Sequence, residues 1–217
     1  MAETRTVIRA LTLLDVIAGS DGGATLSEAA RAAELSPSTA MRLLNTLQAR
    51  GYLRRGSDGR FGAGPTLLRV GANALRRDAL YDRAAPYLAR LAEQTGETAN
   101  LAIRDGRTAV YLRSAPSPQA VRHVSWIGLG VPLTNTALGA ALRDDLGDLG
   151  YAVALGTIEP DVAAVAAPVR GDDGAVVAAL SITGPSFRFA EAELDRCGLA
   201  LIDAAAALAA DLADAPA

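Results

Sequence analysis

Between Ser36 and Arg50 the chain reads Ser-Pro-Ser-Thr-Ala-Met-Arg-Leu-Leu-Asn-Thr-Leu-Gln-Ala-Arg. At about 100° per residue, Ala40, Leu43, Leu44 and Leu47 gather on one side of a helix. Ser38, Thr39, Arg42, Asn45, Thr46 and Ala49 fall on the other, and that side carries hydroxyls, an amide and one guanidinium but no carboxylate. Solvated helices ordinarily carry both signs of charge in i,i+4 pairs. A face of donors without negative charge suits phosphate oxygens and base edges of a nucleic-acid duplex. This is recognition chemistry, in which no bond is made or broken. A plain solvent-facing helix would show similar polarity, so the surroundings of the face must decide.

Groups for bond-making chemistry are sparse. His123 and Cys197 are the chain's single His and single Cys, and no nucleophile elbow surrounds a serine. Gly128-Leu129-Gly130-Val131-Pro132 lacks the third glycine and the strand-turn-helix setting of a dinucleotide loop, and no Walker A motif occurs. Metal-ligand clusters are missing too. The 24 carboxylates leave acid–base chemistry open, but no pair stands out. No catalytic residue, metal site or cofactor is expected.

The elements around the polar face favour duplex recognition. Val7, Ile8, Leu11, Leu14 and Ile17 predict a helix over about residues 5–18, and Thr25 with Glu28 forms a capping box for a short second helix. Ser36 is a natural N-cap with Pro37 behind it, and Gly51 stops the third helix. Two short helices, a tight turn and an amphipathic third helix make a helix-turn-helix, whose last helix enters the major groove. Arg54, Arg55 and Arg60 then flank Gly56-Ser57-Asp58-Gly59, a hairpin placed to act as a wing against phosphate or the minor groove. A fourth helix opens at Gly64-Pro65, and the charged run Arg76-Arg77-Asp78 marks the domain junction.

Beyond it, helix, strands, helix, strands and helix follow: a helix from Leu80, strands at 97–103, 107–112 and 121–126, a Gly/Pro loop, and a short helix near Thr136. A hairpin over 162–182 and a long Ala/Leu helix over about 192–212 complete the order, an α+β sandwich.

Half of the 217 residues are apolar but only 4% aromatic, so Ala, Leu and Val must build the core. One cysteine excludes an internal disulfide and suits a reducing compartment. No signal peptide or apolar run of membrane-spanning length is evident, so a cytoplasmic chain without a membrane partner is expected. The net charge of −3 hides an asymmetry: residues 1–80 hold 11 Arg against 7 acids, residues 81–217 hold 10 Arg against 17. A basic head on an acidic body points to an anionic partner for the head alone.

Thr25-Leu26-Ser27-Glu28-Ala29, Leu35 through Leu44, Arg50-Gly51-Tyr52 and Gly64-Pro65 resemble the DNA-binding domain of the IclR family of bacterial transcriptional regulators. Thr95 through Leu101, Gly130-Val131-Pro132-Leu133 with Thr136-Ala137-Leu138-Gly139, Ala166 through Arg170, and Leu180 through Pro185 are similar to that family's effector domain. The resemblance runs in order along nearly the whole chain. It implies a winged helix-turn-helix over 1–64, a linker helix over 65–79, and a GAF-like effector and oligomerisation domain over 80–217 with a central antiparallel sheet flanked by helices. It further implies a homodimer or homotetramer, a palindromic double-stranded operator, and a small-molecule effector such as an organic or aromatic acid.

The resemblance also places an effector pocket at His123, Val131, Ala137, Leu138, Ala164, Ser181 and Thr183. Ser181 and Thr183, two apart on a strand, would face the same side, and the turn before the short helix would add N–H donors. Three features depart from the family pattern. Ala164 stands where some relatives carry Cys, Ala154 stands near an acidic position, and the chain is a few dozen residues short between 139 and 151. The shortening would remove a wall of the pocket. Two alternatives therefore stay open: a DNA-binding regulator with a vestigial pocket, or a small-molecule-binding enzyme using carboxylates. Without the resemblance His123 fits a packed or solvated histidine, Trp126 a core or interface residue, and Cys197 a small buried hydrophobe.

Overall fold

The structure, a computed structural model, describes residues 4–124 and 126–214. It divides into two compact units, Met1–Arg77 and Asp78–Ala217.

In the first unit α1 (Arg5–Ala18), α2 (Leu26–Ala32) and α3 (Pro37–Ala49) are set by their caps and apolar stripes. The Glu28 N–H donates to Thr25 Oγ1 at 3.3 Å, while the Thr25 N–H donates to Glu28 Oε2 at 2.8 Å. This reciprocal box satisfies two donors that the helix start would leave bare. Ser36 Oγ accepts the Thr39 N–H at 3.3 Å, and Pro37 occupies the first turn, where no N–H is needed. After α3 the chain turns at Gly51 with φ +74°, a left-handed conformation in which a side chain would be strained.

Leu13 and Ile17 of α1, Ala29 and Ala30 of α2, and Ala40, Leu43 and Leu44 of α3 form one core. The strands β1 (Leu53–Arg55) and β2 (Phe61–Ala63) pair as an antiparallel hairpin. Each strand sends one buried residue into that core, Leu53 and Phe61. α4 (Pro65–Leu75) follows and buries none of its residues.

The second unit contains α5 (Ala79–Thr95), β3 (Thr98–Asp105), β4 (Thr108–Ala115), β5 (Gly130–Pro132), α6 (Ala137–Arg143), β6 (Ala152–Leu155), β7 (Val162–Arg170), β8 (Val176–Pro185) and α7 (Glu191–Ala213). The strands form one antiparallel sheet in the order β5-β4-β3-β8-β7-β6. Strand alternation sorts the side chains onto two faces. Ala99, Leu101, Val165, Ala167, Leu180 and Ile182 pack with Leu88 and Leu91 of α5 and Leu201 and Leu208 of α7. Ala102, Ala109, Tyr111, Ala166 and Ala179 pack with Leu138, Ala141 and Leu142 of α6 on the opposite face. Both faces are therefore covered, which is why β8 is buried almost end to end and reads as an apolar run. The fold is a mixed α+β arrangement, with helices on a curled antiparallel sheet.

Three expectations change. Residues 121–124 form no strand, and Ser125, in the same expected strand, lies outside the described residues. The carbonyls of this segment bond to side chains instead of a neighbouring strand: Arg188 Nη2 donates to Val121 O at 2.9 Å, and Thr98 Oγ1 to His123 O at 3.2 Å. His123 thus sits on a loop. The third strand of the unit is β5, inside the stretch expected as a Gly/Pro loop, where Gly130, Val131 and Pro132 pair with Val110, Ala109 and Thr108. The edge strand β6 has no counterpart among the expected strands; at four residues its signal is too short to stand out.

Candidate nucleic-acid interface and ligand cavity

Burial of Ala40, Leu43 and Leu44 turns the opposite side of α3 outward. Ser38, Arg42, Asn45 and Thr46 are exposed and Thr39 is half-buried. Ser36 organises the start of this face, since its hydroxyl donates to Thr39 Oγ1 at 2.9 Å and lies 3.3 Å from Ser38 Oγ. Thr46 donates to the Arg42 carbonyl at 3.0 Å, which leaves its oxygen free to accept.

The three hairpin arginines, grouped by the sequence, are separated by the structure. Arg54 and Arg55 are exposed and each uses Nε on a hairpin carbonyl, Ala63 O and Gly59 O, both at 3.2 Å. Arg55 also lies over the Phe61 ring, 5.3 Å from its centroid. Arg60 is half-buried and turned onto its own unit: it donates to Gly23 O at 2.8 Å and meets Glu28 at 2.9 Å. Its Nε and Nη2 are turned to these internal partners, which ties it to the capping box of α2.

In the second unit His123, Val131, Ala137, Leu138, Ala164, Ser181 and Thr183 all line one half-open cavity. The cavity lies on the α6 face of the sheet. Ala154 and Ala164 are register partners on β6 and β7, and both line it. The close seating of α6 depends on Gly139, because a Cβ there would collide with the Leu133 backbone.

Tyr111, Trp126 and Glu159 also line the cavity and were not legible as site residues. Tyr111 shares its sheet face with Ala109, a parity signal that could have placed it. Trp126 and Glu159 come from irregular segments, where no periodicity points anywhere.

The polar floor is a short relay. Ser114 Oγ donates to Asn100 Oδ1 at 2.9 Å, and Asn100 Nδ2 donates to Thr183 Oγ1 at 3.1 Å. Ser181, the register partner of Asn100, is wholly buried, and its hydroxyl has no hydrogen-bond partner among the described residues. The His123 Nδ1 is likewise buried without one among the described residues. Two polar atoms beside a cavity are thus left to be satisfied by whatever enters it. Burial holds the His123 imidazole below its ordinary pKa, with Glu159 opposing, and pushes the Tyr111 phenol up to about 12 with help from Glu159. The cavity adjoins an open cleft between α6 and β6, lined by Asn135, Thr136, Arg143, Val153 and Leu155 among others.

A helix-turn-helix presenting a carboxylate-free helix face, with a hairpin wing beside it, defines a DNA-binding transcriptional regulator. The chain belongs to the IclR family: residues 6–57 match the IclR helix-turn-helix domain, and 72–146 and 144–210 match the bacterial transcriptional regulator IclR C-terminal domain. It is 35% identical over 245 residues to the HTH-type transcriptional regulator BhcR of Paracoccus denitrificans, covering 96% of this chain and 88% of that protein. The aligned length exceeds the 217 residues of this chain, so the relative carries residues that this one lacks. The HTH-type transcriptional repressor AllR of Escherichia coli is 28% identical over 219 residues, with 84% and 81% of the two chains covered.

Among solved structures, an IclR-type transcriptional regulator from Alicyclobacillus acidocaldarius superposes with a TM-score of 0.83 at 25% identity, covering 96% of this chain and 99% of that one. An IclR homologue from Microbacterium hydrocarbonoxydans, solved with 4-hydroxybenzoate, shares the fold with a TM-score of 0.79 at 23% identity, covering 97% and 100%. Among the described residues no helix is long and apolar enough to cross a membrane.

Proposed function

We propose that this protein is a cytoplasmic, non-enzymatic homodimer that binds a palindromic operator through α3 and changes its operator affinity when a small organic or aromatic acid occupies the cavity of the second unit. The observation that carries the DNA reading is the exposed face of Ser38, Arg42, Asn45 and Thr46, held outward by buried Ala40, Leu43 and Leu44. Thr39 and the wing residues Arg54 and Arg55 complete the contact set, with Arg60 acting indirectly. Residues 1–64 form the reading head, 65–79 the linker and 80–217 the sensor. Val7, Ile8 and Leu11 on α1 and Leu68 and Val70 on α4 are exposed apolar residues, and they support self-association through the head. Two heads on one face of the duplex require half-sites about 34 Å apart or a multiple of that spacing.

The effector reading rests on the unpartnered Ser181 hydroxyl and His123 nitrogen beside the cavity. The 4-hydroxybenzoate held by a protein of the same fold supports an acid as the ligand class. Thermal melting of the purified chain against a panel of organic acids tests it together with DNA release. A raised melting temperature and a shifted affinity for the protein's own upstream DNA, both lost in Ser181→Ala/Thr183→Ala, are expected. No response across the panel would favour a regulator with a vestigial pocket.

A further inference from the structure

The cavity has unsatisfied polar atoms but no fixed positive charge, since its lining contains Glu159 and neither Arg nor Lys. An acid entering as its anion would leave water and meet a carboxylate of the same sign, an arrangement that low polarity makes costly. His123 is the one lining side chain that can turn positive near neutral pH. Its side chain is 8% exposed, and Nε2 stands 3.9 Å from a Glu159 carboxylate oxygen. Nδ1, the opposite ring nitrogen, is buried and has no partner among the described residues. The ring leans on Trp126 at 5.3 Å between centroids, and the Thr98 hydroxyl holds its carbonyl. The imidazole is therefore fixed with one nitrogen towards an acid and the other unused.

We propose that the cavity binds an organic acid as its anion together with one proton, held on His123, so that ligand carboxylate, imidazolium and Glu159 carboxylate form a line of alternating charge. This rests on the effector reading above and adds its charge chemistry. The balance is simple: anion, neutral imidazole and one solvent proton give the bound complex, and the only new covalent bond is N–H. Ser181 Oγ donates to the same carboxylate or accepts from another group of the ligand.

The groups facing His123 are consistent with this assignment. From β4 comes Tyr111, whose phenol stays neutral. The turn between β6 and β7 brings Glu159 and Asp161. β8 brings only the hydroxyls of Ser181 and Thr183, and α6 with its cap only Thr136. On the histidine's own segment Arg122 donates to the Gln119 carbonyl at 3.2 Å, and Arg188, after β8, is paired with Glu97. With the cavity empty, burial keeps His123 neutral at neutral pH. A bound anion raises its pKa, so affinity falls by about tenfold per pH unit between the free and bound values.

Isothermal titration of the full chain tests the proposal, with benzoate, 4-hydroxybenzoate and propionate as acids and benzamide and propionamide as uncharged counterparts. Each is run at one pH near 7.5 in phosphate and in Tris, whose ionisation heats differ. Uptake of about one proton per acid bound, and none per amide, is expected. His123→Gln should abolish the uptake and weaken acid binding at least tenfold while sparing the amides, and Glu159→Gln should reduce the uptake. Acid binding without proton uptake, or amides binding as tightly as acids, would overturn this proposal and leave the effector reading standing. No binding by any probe would overturn both.

Discussion

Arg60 and Glu28 meet at 2.9 Å, and the same carboxylate oxygen accepts the Thr25 N–H that starts α2. One wing arginine is thereby tied to the first turn of the helix-turn-helix, 32 residues earlier in the chain. Glu28 is held below the usual carboxylate range, first by the Thr25 backbone N–H, then by the Thr25 hydroxyl, with Arg60 adding to both. A carboxyl with a depressed folded pKa contributes stability above its unfolded pKa, and the contribution is lost as pH falls through the folded value. Melting of the wild type and Glu28→Gln between pH 7 and pH 3 should therefore show the two curves converging in acid. Parallel curves would contradict the role given to this carboxylate.

Arg60→Gln should lower the melting temperature of the first unit, whereas Arg54→Gln and Arg55→Gln should leave melting nearly unchanged and weaken DNA binding. Phosphate contacts release counterions, so each of the latter two should also flatten the dependence of affinity on salt. Melting curves and a salt series on each variant separate the two behaviours.

Ser36 caps α3 and also positions the Thr39 and Ser38 hydroxyls. Ser36→Ala should cost about 1 kcal/mol in stability, as lost N-caps do. Ser36→Asp keeps the cap but puts a negative charge beside the face offered to phosphate. It should retain stability and lose operator affinity, a split that chemical denaturation and a DNA titration would read together.

Ser181 carries a buried hydroxyl without a partner. An unsatisfied buried polar group costs about 1–3 kcal/mol. Ser181→Ala should therefore make the ligand-free protein as stable as the wild type or more so, while diminishing its response to an acid. Loss of stability in the empty protein would mean that the hydroxyl has a structural partner after all.

Cys197 is 1% exposed on α7, and burial pushes its thiol up to about 11. A thiol so placed is a poor nucleophile. Alkylation by iodoacetamide at pH 8 should be negligible in the native state and complete in denaturant. Rapid native labelling would contradict the packing of α7 on the sheet.

Local signals made the first unit legible in sequence. Thr25 with Glu28, Ser36 with Pro37, and Gly51 each fix a helix end through neighbours within four residues, and the structure keeps all three. The charge pattern could group Arg54, Arg55 and Arg60 but could not separate them, because the partners of Arg60 lie far away in sequence. The β7–β8 hairpin was legible from its Asp-Gly turn and apolar runs. Residues 121–126 looked like a strand because Val121 and Val124 are strand-forming types. Long-range bonds from Thr98 and Arg188 hold residues 121–124 outside any strand, and no window of sequence contains those bonds. Asn100 is visible in sequence, but its place beneath Thr183 depends on the β3–β8 register.

An open cleft lined by residues of α6 and β6 adjoins the cavity. Ala164→Leu, on the cavity wall opposite α6, should fill the cavity. Operator affinity should stay as in the wild type while the acid response disappears.

The most direct measurement is operator affinity by fluorescence anisotropy, using the protein's own upstream DNA and an unrelated duplex, for wild type and Arg42→Gln/Asn45→Ala. The wild type should prefer its own sequence. The double variant should lose that preference by at least tenfold while melting and self-associating normally. Equal binding of the operator by both proteins would contradict the claim that the outward face of α3 reads DNA.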